Sequence, residues 1–361
     1  MTRMFLAGAG FIGREHATAA ATAPGGTTLE LHVADANPVA LDDFMRAFPA
    51  SIPYSSVDDM LSQGARDDDI AVIATPPVSH ERLGLQAIES GRHVLCEKPL
   101  AMSSDQAREL AASAVAHDRI LEGCDIRFRD VPTTQEVRRR LLGGSIGRPY
   151  HLTFVNVSQR SRTGFDHLTQ SSWFRDPAIS GGGVMMDWGP YDIAVLDEVL
   201  RPVSVRIAHA WSASPTVGDA FAVEATRAEQ HIGATMELTL ADGARVTVDY
   251  ERGAATHGAE RRVVELVGDE GALRWDWLDW IGDNSVTSTR DVDGTPVSET
   301  FHCPAPTTSF HARPLRSMLD ALRDGASARS VGDRTLFTFL WLRAVLEAAE
   351  NGGSVEIERL G

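Results

Sequence analysis

The chain has 361 residues, 43% hydrophobic and 23% charged, a length beyond which one hydrophobic core usually stops growing, so two globular domains are expected. Lys and Arg number 34 against 50 Asp and Glu, and the net charge of -16 argues against nucleic acid or an anionic membrane as partner; a solvated acidic surface is its plainer meaning. Three widely spaced cysteines, Cys96, Cys124 and Cys303, lack metal-type spacing, the start MTRMFLAGAGFIG does not read as a signal peptide, and no run approaches ~20 apolar residues, so a cytoplasmic protein with reduced thiols and no metal is expected.

In chain order, MFLAG reads as a short strand, FIGREHATAAAT as a helix, LELHVAD as a strand and PVALDDFMRAF as a helix after a turn at Asn37. DIAVIAT then reads as a buried strand, SHERLGLQAIESG as a helix closing on Gly91, and HVLCEKP as a strand stopped by Pro99. The helical DQARELAASAVAHD and the strand-like RILEGCDI follow. Strands alternating with helices in this way predict an α/β domain with a doubly wound parallel sheet over 1–124.

From 125 to 361 the texture changes. A helix, TTQEVRRRLLGG, precedes a strand, RPYHLTFVNVS, and a polar loop leads to GGGVMMDWGPYD and the apolar-periodic IAVLDEVL. Strand-like runs follow at VSVRIAHAWSA, DAFAVEATRAE, IGATMELTL, ARVTVDYER and RRVVELVGDEGALRWDW. Turns such as AEQH and ADGA between consecutive strands predict an antiparallel sheet, hence an α+β second domain. Two helices, PLRSMLDALRDG and RTLFTFLWLRAVLEAAENGG, close the chain, the second placed so that its residues 334–352 can pack back on the first domain.

Three motifs carry the chemistry. GAGFIG fits G-x-G-x-x-G and sits between the first strand and the first helix, where the backbone turns tightly at Gly8, approaches a pyrophosphate at Gly10 and packs on the sheet at Gly13. The amides of Ala9, Phe11 and Ile12 belong to the same turn, at a helix N-terminus suited to phosphate. Asp35 ends the second strand 22 residues beyond Gly13, the place of an acid that binds ribose hydroxyls and repels a 2′-phosphate, which favours NAD over NADP. The alternative is a glycine turn with an ordinary strand-end aspartate. ATPPVSH lies at the carboxyl end of a predicted parallel strand; Thr75, Pro76 and Pro77 could wall the nucleotide or simply start the next helix, and His80 is open to a structural or a site role. CEKPL reaches the same edge with Glu97 and Lys98, where a lysine held before a proline can donate to a substrate oxygen; the alternative is a surface lysine at a turn.

GAGFIG, ATPP, CEKPL and GGGVMMDWGPYD in this order, followed by the turn-rich GDEGALRWDW and the closing helices, resemble the Gfo/Idh/MocA oxidoreductase family over nearly the whole chain. The resemblance implies a Rossmann domain joined to a large open-faced, mostly antiparallel sheet, a nicotinamide cofactor, and sugars or cyclitols as substrates. It makes Lys98 the lysine of the E-K-P motif, Asp187 the motif aspartate and Tyr191 the His-or-Tyr four residues later. Many members carry a further aspartate where this chain has Ala194; Asp192 would point elsewhere on a helix and does not inherit that role.

Asp187 and Tyr191 share one helix face if the helix is continuous, and Pro190 either starts that helix or kinks it. Oxidising a secondary alcohol moves a hydride from carbon and a proton from oxygen. Tyr191 is the preferred acid/base with Lys98 polarising the oxygen and Asp187 orienting both or accepting a substrate hydroxyl; Lys98 as proton acceptor is the close alternative. Arg127 and Trp173 are the foremost further substrate contacts, ahead of Arg160, Arg162, His167, Arg175 and Asp176; Trp275, Trp277 and Trp280 suit packing. The expected activity is NAD-dependent hydride transfer at a sugar, glycoside or cyclitol hydroxyl. The alternatives are glycoside cleavage through transient oxidation and elimination, and a non-catalytic nicotinamide sensor. A sheet face needing cover points to a homodimer or homotetramer.

Overall fold

The computed structural model describes residues 2–22, 29–159, 172–215 and 228–360, so the strand predicted at 219–229 falls almost wholly outside the described residues. The chain forms two units, Met1–Arg127 with Thr308–Phe339, and Phe128–Thr307 with Leu340–Gly361.

The first unit runs β1 (Arg3–Ala7), α1 (Phe11–Ala21), β2 (Glu30–Ala34), α2 (Pro38–Ala47), β3 (Ile52–Tyr54), α3 (Val57–Leu61), β4 (Ile70–Ile73), α4 (His80–Glu89), β5 (His93–Cys96), α5 (Ser104–Ala116) and β6 (Leu121–Gly123). Its six strands are all parallel in the order β3-β2-β1-β4-β5-β6. β1 and β4 are buried at every residue, as strands covered by helices on both faces must be. The order reverses between β1 and β4, where such sheets bind ligands beyond their carboxyl ends. β3 and α3 were not predicted: IPY is a three-residue edge strand containing a proline, too short for a periodic signal.

The second unit begins with α6 (Pro132–Leu142), β7 (Pro149–Val157), α7 (Pro177–Ser180), α8 (Val184–Asp187) and α9 (Gly189–Leu200). It continues with β8 (Ser204–Ala213), β9 (His231–Thr239), β10 (Arg245–Gly253), β11 (Arg261–Gly268), β12 (Gly271–Trp275), β13 (Ser285–Val292) and β14 (Thr295–His302). With β15 (Val355–Glu358) at one edge these make a nine-stranded sheet, β14-β13-β12-β11-β7-β10-β9-β8-β15, in which only β7 and β10 pair parallel among the described residues.

Alternation along β10 sends Val246, Val248 and Tyr250 inward, beside Leu152, Phe154, Met236 and Leu266, while Arg245, Thr247 and Asp249 face out. α9 is buried at every residue on the inner side. The outer face carries charged pairs instead, Arg206 and Arg245 on Glu237 and His151 on Asp249.

The last helices belong with both units. α10 (Arg313–Arg323) packs on α1, β5 and β6, and its Leu315 and Met318 complete a core with Met4, Leu6 and Leu95. α11 (Ala328–Asn351) contributes residues up to 339 to the first unit, where Thr335 donates to the Leu121 carbonyl, and the remainder to the second, where Trp341 lies 3.1 Å from Met236 Sδ. Residues 308–339 therefore group with the first unit, unlike a simple division at residue 124, because α10 supplies apolar side chains that this sheet needs.

Candidate active site

β1 ends on the G-x-G-x-x-G turn. At Gly8, φ is +106° and a Cβ would stand 2.6 Å from the Ala74 carbonyl oxygen, while at Gly13 it would stand 2.1 Å from Gly8 O, so α1 packs directly on the turn. Side chains cap α2, α3 and α5 (Asn37, Ser56 and Ser103), but α1 starts at Gly10 with no side-chain cap and no first-turn acid. A Cβ on Gly10 would meet nothing within 4 Å. Free helix amides facing open space fit a pyrophosphate. Asp35, just beyond β2, accepts Ala9 N–H on one oxygen and Asn37 N–H on the other, each at 2.8 Å, which holds its carboxylate against the turn with lone pairs to spare for ribose hydroxyls.

Alongside, the loop after β4 is built around Thr75 Oγ1, which meets Ser79 Oγ at 2.7 Å, and the buried Pro77. His80 is fully buried with its ring nitrogens 2.8 Å from the carbonyl oxygens of Thr75 and Pro99. This assigns His80 the structural one of its two sequence readings: it ties the loop after β4 to the loop after β5.

The loop after β5 presents Lys98, partly buried, between Glu97 and a cis-linked Pro99. Glu97 is the anchor. Its Oε1 meets His16 Nε2 at 2.8 Å and the Arg127 guanidinium, and its Oε2 accepts the Lys98 N–H at 3.1 Å. Against the upward push of burial, Arg127 and His16 hold this carboxyl well below the usual range. Cys124 approaches the same cluster, but burial and the Glu97 charge push its thiol well up, so it stays protonated beside an ion pair rather than offering a thiolate. Arg127 is corrected here: it is 1% exposed and turned onto Glu97, so its guanidinium braces the lysine loop and is not presented to substrate.

In the second unit, the glycine-rich stretch is pinned by Glu229. Its carboxylate accepts the N–H groups of Gly183 and Met185, and its carbonyl that of Val184, all at 2.9 Å. A Cβ on Gly183 would lie 1.8 Å from that carbonyl oxygen, so the close approach that demands glycine there is to residue 229. Asp187 and Tyr191 occupy two helices rather than one: Asp187 ends α8, Trp188 joins it to α9, and Pro190 sits in the first turn of α9, where it needs no hydrogen bond. Tyr191 is 6% exposed and packs edge-on against Phe128 at 5.1 Å and Trp188 at 5.6 Å. Asp192 points the other way, into a buried cluster with Tyr250 and Arg252.

Two family models account for most of the sequence. The oxidoreductase family, NAD-binding Rossmann fold, matches residues 2–122, and the GFO/IDH/MocA C-terminal domain matches residues 134–274. The chain belongs to the GFO/IDH/MocA oxidoreductase family. It is 26% identical over 372 residues to inositol 2-dehydrogenase 1 of Saccharopolyspora erythraea, covering 99% of this chain and 96% of that protein. It is 30% identical over 206 residues to 1,5-anhydro-D-fructose reductase of Ensifer adhaerens, where the match spans 56% of this chain and 57% of the relative. Among solved structures, levoglucosan dehydrogenase in complex with NADH shares the fold with a TM-score of 0.80 at 19% identity over 100% of both chains.

The remaining candidate residues of this GFO/IDH/MocA chain have the following surroundings. Trp173 is half-buried with its ring stacked on Phe174 at 4.0 Å, and Asp176 caps α7. Arg160, Arg162 and His167, and the side chain of Arg175, lie outside the described residues. Trp275 and Trp277 are buried, whereas Trp280 is 53% exposed beside Phe128. His16, Glu229 and Arg252 were missed; only His16, one helical turn past Gly13, stood near a recognised motif.

The buried histidines of the first unit set an acid limit. Burial lowers the pKa of His80 and His93, and burial followed by the Arg127 charge lowers His311 to about 3. The unfolded chain, with His near ~6.5, then takes up more protons than the folded one below that pH, so stability is full above about 6.5 and falls as pH drops toward 3. Glu97 stays ionised in the folded chain while an unfolded glutamate takes up its proton near ~4.3, so it adds a further loss of stability at the acid end of this window and almost none between pH 7 and pH 5. Thermal melts should show Tm falling by several degrees between pH 7 and pH 5, at ~2–4 °C per kcal/mol for units of this size. A flat Tm over that range would refute the buried neutral state of these imidazoles.

Proposed function

We propose that this NAD-dependent oxidoreductase interconverts a secondary hydroxyl of a sugar, glycoside or cyclitol with the ketone. The observation that carries this is Lys98, held by Glu97 at the carboxyl edge of the parallel sheet whose phosphate turn and Asp35 fit NAD. The full-length likeness to an inositol 2-dehydrogenase and the shorter one to a 1,5-anhydro-D-fructose reductase support the polyol substrate class. A nicotinamide held by that turn and Asp35 would supply the hydride acceptor for the carbinol carbon, or the donor in the reverse direction. Lys98 donates to the substrate oxygen and stabilises its growing negative charge. Tyr191 takes the hydroxyl proton, and Asp187, at the end of α8, orients the pair or accepts a neighbouring substrate hydroxyl.

The same reading places the enzyme in the cytoplasm as a homodimer or homotetramer. Its three free cysteines and the exposed Trp211 and Tyr150 support this. No helix among the described residues is long and apolar enough to cross a membrane.

Incubation with NAD⁺ or NADP⁺ and a panel of sugars, glycosides and cyclitols, read by reduced-nicotinamide absorbance, should show turnover favouring NAD⁺ by about 10²-fold, because Asp35 opposes a 2′-phosphate. Asp35→Ser should narrow that ratio about tenfold or more. Preference of the wild type for NADP⁺ would overturn the role of Asp35, and cleaved glycoside without net NADH would replace dehydrogenation by elimination.

A further inference from the structure

The first unit returns late in the sequence to its own phosphate turn. The segment 308–312 leading into α10 is anchored by the buried Arg313, whose guanidinium donates to the carbonyl oxygens of Thr308 at 3.2 Å and Arg127 at 2.9 Å. So anchored, His311 sets its ring edge-on to Phe11, with centroids 6.2 Å apart and planes at 80°. Phe11 follows Gly10 directly and is 52% exposed, although it is large, apolar and at the head of α1. His311 also contacts the Phe310 ring, with centroids 3.8 Å apart and planes tilted by 37°. Its Nδ1 is shut off from solvent and meets no hydrogen-bond partner among the described residues. A buried polar atom left in that state is costly unless a ligand completes it.

We propose that His311 is a cofactor ligand, its Nδ1 hydrogen-bonding the nicotinamide half of the dinucleotide between the pyrophosphate and the nicotinamide ribose. Phe11 marks the pyrophosphate end of the site, at the uncapped amides of α1. The charges of Glu97 and Lys98, on the loop after β5 at the carboxyl edge of the same sheet, act on His311. With its pKa held at about 3, the imidazole is neutral and offers either a donor or an acceptor at Nδ1, as a phosphate oxygen or a ribose hydroxyl requires. No glycine pattern, strand-end acid or E-K-P motif signals this residue, which lies 298 positions beyond Gly13. The proposal rests on the nucleotide site of the family and adds to it a contact from the far end of the chain.

Titration of NADH by its fluorescence, with ADP measured by competition, tests this on wild type and His311→Phe. Phenylalanine keeps the ring against Phe11 and removes both nitrogens. The variant should bind NADH about tenfold more weakly and ADP, which lacks the nicotinamide half, as tightly as wild type. NADH affinity equal to wild type would overturn the proposal, as would equal losses for NADH and ADP, which would make His311 a support of the turn alone. A wild-type protein that bound no NADH would remove the nucleotide site itself, a separate failure.

Discussion

Lys98→Met is expected to lower kcat by about 10³-fold or more while leaving NADH affinity within about threefold. Removing one preorganised donor to a developing oxyanion typically costs ~10²- to 10³-fold, and disturbing the proton transfer beside it adds to that. Methionine keeps most of the length and apolar stem of lysine, so the loop should survive. What fixes the loop is backbone and buried charge: Glu97 Oε2 holds the residue-98 N–H at 3.1 Å, and His80 holds the Pro99 carbonyl at 2.8 Å, neither through the lysine side chain. A split between lost kcat and retained NADH binding therefore reports chemistry rather than collapse. Full turnover in Lys98→Met would end the proposed mechanism. Tyr191→Phe then separates the two proton acceptors. If Tyr191 takes the proton, its loss costs ~10²- to 10⁴-fold and abolishes the limb of the kcat/KM pH profile in which the base must be ionised. If Lys98 takes it, that limb persists in Tyr191→Phe at close to the wild-type rate.

The parts of this site that were legible in the sequence are local ones. Gly8, Gly10 and Gly13 serve one turn, Asp35 ends the next strand, and Lys98 follows a four-residue buried strand, so short-range pattern alone brought them to one sheet edge. The network beneath Lys98 was illegible because His16, Glu97, Arg127 and Arg313 come from separate segments and meet only when the sheet closes and α10 lands on it. Arg127 was misread for this reason: its partner is 30 residues away, and nothing in its own surroundings announces a buried charge. Asp187 and Tyr191 came from the family resemblance, and of the two readings of Pro190 the structure has the one in which it starts a helix: α8 ends at Asp187 and α9 begins at Gly189. In the fold, the β13–β14 hairpin was overlooked although its signal was present. Asp293 and Gly294 both have positive φ, 52° and 79°, as the two-residue turn favoured by Asp-Gly requires. The flanking strands are mostly polar and exposed, so no apolar alternation called attention to them.

Arg252→Met is expected to destabilise the protein by about 3–5 kcal/mol, the usual cost of leaving one member of a buried ion pair without the other. Asp192 is 0% and Arg252 4% exposed. The guanidinium meets both carboxylate oxygens, with Nε 2.8 Å from Oδ2, and lies over the rings of Trp188 at 5.4 Å and Trp277 at 5.8 Å. Without it the carboxylate keeps, among the described residues, the Tyr250 hydroxyl, which donates at 2.7 Å. Asp192→Asn with Arg252→Met removes both charges and should recover about 2 kcal/mol relative to Arg252→Met alone, so a double-mutant cycle by urea denaturation should show strong coupling. A double variant no more stable than the single would sink the ion-pair account. If Tyr191 has the acid/base role proposed for it, the pair also bears on catalysis, because Asp192 is the next residue and ties the first turn of α9 to β10. Displacing a catalytic group by about 1 Å can cost ~10²-fold. The double variant, restored in stability but no longer tied by the guanidinium, should therefore still turn over more slowly than wild type, with NADH affinity unchanged because the phosphate turn and Asp35 belong to the first unit.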